Sequence, residues 1–327
     1  MTSPRQKILF FSTFTAPFME IDRQILSRFS DVVEMRVRGI VGALRLGWST
    51  LFVDGVLSWF ASTYTAVPVF MARLLGKRSV VIVGGADVSV QKELGYGLLT
   101  ARWKRCLIRY SLRRATAVVP VSLHLETLTR SVGKYDGHNL HRIPPGLDDR
   151  FWKRKTPKEP TVITVAGCPT PERVRIKGID VLMEAARLIP DVSIHIVGVD
   201  DAVLKSMDIP VPPNVSVRPW LSEEELLKLY GQSRICCQPS RIESFSFALA
   251  QGMLCECIPV ASRVGGMPEV VGETGFLVRP GDPDSLAAGV TRALQADRGL
   301  GRAARERIQS HFSLQRRSAG LKKLFEE

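Results

Sequence analysis

Three segments of the 327-residue chain combine residue types and spacings that could handle a charged, hydroxyl-rich ligand. The first runs from Gln238 to Gln251 and follows a short apolar stretch, Ile235–Gln238. Glu243 stands just ahead of a helix-like pattern, where its carboxylate can accept hydrogen bonds from paired hydroxyls such as those of a sugar or a ribose. The amides of Ser244, Phe245 and Ser246 are expected to open that helix. A helix start offers unpaired N–H groups and a positive dipole end, which suits a diphosphate. The plainer reading is a favourable charge at a helix N-terminus. The second segment, Arg173-Val-Arg-Ile-Lys-Gly178, reads as a loop with three cations near the next helix. Arg173 and Arg175 could grip a pyrophosphate through their planar forks and Lys177 as a point charge. Otherwise it is a solvated basic loop. The third holds Gly265 and Gly266, followed by Met-Pro-Glu269. Paired glycines let a backbone come close to a ligand, though alone they mark only a turn.

Positioning these segments requires a scaffold, and the pattern along the chain supplies one. Short Val- and Ile-rich runs (8–12, 32–37, 79–83, 117–121, 161–166, 192–197, 215–217, 235–238, 258–261) alternate with helix-like stretches (21–29, 65–75, 98–112, 122–131, 178–188, 223–230, 285–295). That alternation predicts α/β architecture with parallel sheets covered on both faces. A chain of this length suggests two domains. The turn at Pro144-Pro-Gly146 and the polar stretch Arg150–Pro160 divide it into residues 1–150 and 151–327. The reading is two similar Rossmann-like domains facing each other across a cleft. The amphipathic last stretch, Ser313–Phe325, could pack back, the N-terminal domain being one candidate. In open α/β sheets ligands bind beyond the carboxyl ends of strands, which is where the three segments fall.

Taken together, residues 115–327 resemble the retaining GT-B glycosyltransferases of family four, the glycosyl transferases group 1. The matching pieces are Ile143-Pro-Pro-Gly-Leu-Asp148, Lys177-Gly-Ile-Asp-Val-Leu182, Leu221-Ser-Glu-Glu-Glu-Leu226, Pro239-Ser with Glu243-Ser-Phe245, Ile258-Pro-Val260 and Gly265-Gly-Met-Pro-Glu-Val270. The resemblance implies a GT-B fold and transfer of a sugar, with retention, from a nucleotide diphosphate sugar to an acceptor hydroxyl. It implies that Glu243 faces the donor sugar's hydroxyls, that Lys177 lies on the donor phosphates, and that residues around Arg218–Trp220 lie by the base. The family's partner arginine position is Glu172 here, leaving Arg173 or Arg175 to substitute. The family's second glutamate is Gln251, which can still accept one hydrogen bond and donate another. The glycine pair usual after the first strand is replaced by Ser12-Thr-Phe-Thr-Ala-Pro17. Residues 1–114 resemble the family's acceptor domain only loosely. There Gly84-Gly-Ala-Asp87 follows a strand, and Asp87 is a candidate for the reacting centre, an Asx turn or helix cap being the alternative. No cofactor beyond the donor substrate is expected. Two other readings stay open. One is a weak or inactive sugar-nucleotide or glycan-binding protein, motivated by Gln251; the other is a sugar-nucleotide epimerase.

No metal set is expected either. The five histidines form no ligand spacing, and Asp282-Pro-Asp284 reads as a helix start. The six cysteines form no C-x-x-C pair, which fits a reduced, cytoplasmic setting. The N-terminal apolar run is too short for a signal peptide and no run is long enough to span a bilayer. The net charge of +13 is concentrated in residues 1–150, with 21 Lys/Arg against 11 Asp/Glu. Arg102, Arg105, Arg109 and Arg113 recur at helical spacing beside Trp103, Leu107 and Tyr110. With Leu44-Arg-Leu-Gly-Trp48 they could dock on the inner face of an acidic membrane, or form a solvated helix face. Nucleic acid is not an expected partner, because no recognition motif accompanies the charge.

Overall fold

The computed structural model describes residues 5–99 and 101–326. It divides into two compact units, one running through Gly146 and resuming at Leu314, the other Leu147–Ser313. The chain therefore leaves the first unit ahead of the polar Arg150–Pro160 stretch.

The first unit alternates β1 (Gln6–Ser12), α1 (Pro17–Ser27), β2 (Ser30–Arg36), α2 (Gly39–Thr50), β3 (Gly55–Trp59), α3 (Ala66–Leu74), β4 (Arg78–Val83), α4 (Arg102–Arg114), β5 (Ala117–Pro120) and α5 (Leu123–Gly133). Its five strands are all parallel, in the order β2-β1-β3-β4-β5. The strand β3 and the helix α2 have no counterpart in the sequence reading. Every residue of β3 is buried. A short run buried on both faces has no alternation to announce it. The helix α2, GIVGALRLGWST, carries one charged residue and so shows no polar face for a 3.6-residue period to reveal.

The second unit continues with β6 (Glu159–Cys168), α6 (Pro171–Lys177), α7 (Ile179–Leu188), β7 (Ile194–Val199), α8 (Asp201–Ser206), β8 (Val215–Arg218), α9 (Glu223–Gln232), β9 (Ser233–Gln238), α10 (Phe247–Leu254), β10 (Ile258–Ser262), α11 (Met267–Val271), β11 (Phe276–Val278), α12 (Pro283–Gln295) and α13 (Gly299–His311). Six parallel strands run β11-β10-β9-β6-β7-β8. Its core packs Val162, Ile194, Ile196, Ile235 and Val260 of the sheet against Leu182, Ala186, Leu286 and Val290 of α7 and α12. Caps set several helix starts. Ser222 and Glu225 form a reciprocal capping box on α9. The Asp282 side chain accepts from the Ser285 amide at 2.9 Å, which makes Asp282-Pro-Asp284 the start of α12. The last helix, α14 (Leu314–Glu326), belongs to the first unit and contacts α1.

The arginine stripe of α4 is not a free surface. Arg105 Nε donates to the Leu99 carbonyl at 3.1 Å, Arg109 Nε to Val132 at 2.8 Å and Arg113 Nε to Gly133 at 2.6 Å. Two of the three satisfy carbonyls at the C-terminal end of α5, which lack partners within their own helix. The stripe expected to meet a membrane mainly joins α4 to its neighbour.

Candidate functional site

The second sheet reverses its winding between β6 and β9. From β6 the chain builds outward through β7 and β8, then returns to the other side of β6 to lay down β9, β10 and β11. A crevice opens at such a switch point, beyond the carboxyl ends of the two flanking strands. Lys177 follows β6 and Glu243 follows β9, so they approach this point from opposite sides. Lys177 Nζ donates to Glu243 Oε2 at 2.6 Å, both side chains being mostly buried.

The local backbone explains the meeting. The expected loop at 173–178 is instead the short helix α6, because Thr170 caps the amide of Arg173, Pro171 pre-sets the first turn, and Gly178 ends it in the left-handed region at φ +69°. A Cβ at Gly178 would lie 2.0 Å from the Pro239 carbonyl oxygen. Only glycine lets the β9–α10 loop come this close. The Arg241 amide then donates to the Ile176 carbonyl at 2.8 Å, and Arg241 Nη1 to Asp180 Oδ1 at 2.7 Å. Arg241 and Asp180 thus clamp the two loops and were not singled out from sequence, although both lie within the quoted segments.

The helical geometry also separates the three cations. Arg173 and Lys177 are four residues apart and share one face of α6, whereas Arg175 projects about 200° away. Arg175 is exposed, and its recorded partner is Arg241, which donates to its carbonyl. Arg173 is half-buried, with a long 3.5 Å contact from Nε to the Gly167 carbonyl. Below this face lies Cys168, whose thiol burial pushes up to about 11 despite the nearby Lys177 and Arg173 charges, so it stays neutral.

The helix following Glu243 begins later than its sequence suggests. Ser246, at φ +72°, is its cap and accepts from the Leu249 amide at 3.3 Å. The Ser244 amide points back to Glu243 Oε1 at 3.2 Å. Phe245 turns inward against Phe247 and Phe312, so its ring is core and offers a ligand nothing. Gln251 lies half-buried one turn into α10. Gly265, at φ +54°, leaves no room for a Cβ, which would stand 1.6 Å from the Glu243 carbonyl oxygen. The Gly266 amide donates to that carbonyl at 3.3 Å. The glycine pair therefore fixes the backbone of Glu243, which is a closer role than approach to a ligand.

Trp220 is 64% exposed, yet its ring rests on the sheet. A Cβ at Gly198 would be 2.8 Å from the indole, and one at Gly167 3.6 Å from it. One face of the ring covers the carboxyl ends of β6 and β7 and the other is open. In the first unit Asp87 is fully buried. Its carboxylate accepts from the amides of Ala61 at 3.0 Å, Gly85 at 2.8 Å and Gly84 at 3.4 Å. Burial raises its pKa against the pull of these amides. Both oxygens are spent on holding the β4 turn, which removes Asp87 from the groups able to reach a reacting centre. Among the described residues no cluster of three or more His, Cys, Asp or Glu side chains could hold a metal ion.

This geometry has counterparts. Residues 159–296 match the family described as glycosyl transferases group 1. Among curated relatives, the MMP alpha-(1->4)-mannosyltransferase of Mycolicibacterium hassiacum is 32% identical over 176 residues, covering 50% of this chain and 41% of that protein. The D-inositol 3-phosphate glycosyltransferase of Mycolicibacterium gilvum is 27% identical over 273 residues, covering 78% of this chain and 60% of that protein. The chain thus spans less than two thirds of the length of either. The sucrose-phosphate synthase of Thermosynechococcus elongatus superposes with a TM-score of 0.78 at 18% identity, covering 98% of both chains. The Anabaena protein HepE, solved in complex with UDP, superposes with a TM-score of 0.78 at 15% identity, covering 98% of this chain and 100% of that one. With its two parallel-sheet Rossmann-like units, the chain has the GT-B fold.

Proposed function

We propose that the protein is a glycosyltransferase that moves a sugar from a nucleotide diphosphate donor to an acceptor hydroxyl, with retention and without a metal ion. The observation that carries this reading is the Lys177–Glu243 pair at the switch point of the second sheet. In the proposed complex, Lys177 leaves Glu243 for the donor diphosphate and Arg173, on the same helix face, joins it. Their charges neutralise the leaving group as it departs, which makes them more effective in the transition state than in the ground state. Glu243, released, accepts from hydroxyls of the donor sugar. Trp220 offers its open face to the base, and Gln251 takes a ribose hydroxyl. The relatives named as a mannosyltransferase and as D-inositol 3-phosphate glycosyltransferases support the reaction class, and the HepE structure with UDP supports a nucleotide donor. The acceptor is a glycan or a lipid-linked hydroxyl.

The test is a thermal-shift screen against UDP, GDP, ADP and their sugars, with and without EDTA, on the native protein and Lys177→Ala. One nucleotide should raise the melting temperature, indifferently to chelation, and lose its effect in the variant. Absence of any shift sinks the donor-site reading. A shift without transfer to any acceptor would favour a binding protein weakened at Gln251, which Gln251→Glu would then activate.

A further inference from the structure

The helix α2 has an outer face that a soluble protein would be expected to cover. Ile40, Leu44, Trp48 and Phe52 recur at four-residue spacing along it and just beyond its end, and are 81%, 70%, 66% and 63% exposed. Its opposite side is already buried through Leu46 and Thr50, so the outer stripe is not its packing face. The neighbouring helix α3, which packs against α2, adds Phe70 and Leu74, also exposed. Contiguous apolar surface on this scale marks an interaction site.

The charge around it is predominantly positive. Helices α2, α3 and α4 contain no Asp or Glu and carry eight Lys or Arg. From Met35 to Leu125 the acidic residues are Asp54, Asp87 and Glu93 alone. Asp87 is buried, which leaves Asp54 and Glu93 as the exposed acids of that span against a large excess of cations. At the C-terminal ends of α3 and α4 a cavity of about 470 Å³ opens, lined by Arg73, Lys77, Arg78, Arg113, Arg114 and His138. Lys77 donates to the carbonyls of Thr50 and Leu51, which joins this cavity to the end of the α2 stripe. Arg113 holds α5, and Asp136 holds His138 Nδ1 at 2.9 Å. The guanidinium groups of Arg73, Arg78 and Arg114 have no hydrogen bond or ion pair among the described residues.

We propose that the α2–α3 face is a docking surface for an anionic lipid bilayer, with the adjoining basic cavity seating a headgroup phosphate. A helix lying in the interface needs exposed Trp, Phe and aliphatic side chains with Lys and Arg beside them, which is what this face presents. The charge argues against a second copy of the chain as occupant, because a two-fold contact would press one acid-free basic surface onto another. No helix among the described residues is long and apolar enough to cross a membrane, so attachment here is peripheral. The surface keeps the Leu44–Trp48 stretch expected from sequence but not the α4 stripe beside it: Arg105, Arg109 and Arg113 donate to backbone carbonyls, and the cations of the cavity take their place.

The experiment is co-sedimentation with vesicles of phosphatidylcholine alone or mixed with phosphatidylglycerol, at low and high salt. Native protein should partition onto the mixed vesicles only, and less at high salt. Trp48→Ser with Phe52→Ser should reduce partitioning at least tenfold. Arg73→Gln and Arg114→Gln should each reduce it about fivefold. These side chains are exposed, and circular dichroism checks that the variants stay folded. Equal binding to both vesicle types, or undiminished binding by the double variant, overturns the proposal. So does a concentration-dependent dimer that the double variant abolishes, or stabilisation by inorganic phosphate with no vesicle binding.

Discussion

Arg317 and Asp22 are 295 residues apart in sequence and form a two-pronged ion pair, Nε to Oδ1 at 2.9 Å and Nη2 to Oδ2 at 2.6 Å. Their side chains are 1% and 3% exposed. Arg317 also donates to the carbonyls of Ile143 and Pro144. The pair ties α14 to α1 and to the last residues of the first unit. Removing one partner leaves a buried charge uncompensated, which costs about 3–5 kcal/mol. Arg317→Met or Asp22→Asn should therefore lower the first denaturant-unfolding midpoint markedly. The double variant Asp22→Leu/Arg317→Met should recover much of that loss, because it leaves no stranded charge.

This pair also shows where sequence reading stops. Arg317 looks like one of several cations on an amphipathic helix, and nothing local distinguishes it from Arg316. Long-range partners have no period. The strands whose Val and Ile runs are bounded by turns were legible, as was the parallel α/β alternation they imply. The strand β3 and the helix α2 were hidden, because β3 is buried on both faces and α2 has a single charge, so neither shows a clear hydrophobic period. At the site, the residue types of Lys177 and Glu243 and their places after strands suggested phosphate and hydroxyl chemistry. Their direct pairing could not be read, because it depends on Gly178 and Gly265 permitting two close backbone approaches. The helical face that sets Arg173 apart from Arg175 was available once α6 was recognised by its Thr-Pro start and glycine end.

The two glycines give a discriminating prediction. Gly95, Gly178 and Gly265 all adopt left-handed φ, at +61°, +69° and +54°. A Cβ at Gly95 meets nothing within 4 Å, whereas at Gly178 and Gly265 it strikes backbone oxygens of Pro239 and Glu243. Gly95→Ala should cost only the conformational penalty of about 1–2 kcal/mol and leave nucleotide binding intact. Gly178→Ala and Gly265→Ala must displace a loop as well, so they should lose more stability and weaken nucleotide binding. Equal nucleotide affinity in all three, measured by calorimetry, would show that the loops do not position the site.

Stability should fall in mild acid through His195. Burial lowers its pKa below 6.5, with the charge of Arg218 acting in the same direction and Glu159 opposing. Its Nδ1 is buried without a hydrogen-bond partner among the described residues. The folded state thus binds the proton more weakly than the unfolded chain. The histidine's contribution to stability is present above pH 6.5 and is lost as pH falls through the folded-state pKa. His195→Phe should flatten the dependence of the unfolding midpoint on pH between neutrality and mild acid. A variant as acid-sensitive as the native protein would assign the loss elsewhere.

The cations of α6 should separate by helical face. Lys177 and Arg173 lie on the face that meets Glu243, while the Arg175 side chain is exposed on the other side. If Lys177 neutralises the departing diphosphate, Lys177→Ala should lower kcat by about 10²–10³, the scale of losing one electrostatic contact to developing charge. Lys177→Arg should recover little, because the longer planar fork cannot occupy the mostly buried space beside Glu243 as a compact ammonium does. Arg173→Ala should lower kcat to a lesser degree, and Arg175→Ala should leave it near the native value. Steady-state kinetics with the donor found in the thermal-shift screen provide the measurement. A loss on Arg175→Ala as large as that on Lys177→Ala would mean the segment acts through its summed charge, and the assignment of separate roles by helical face would fall.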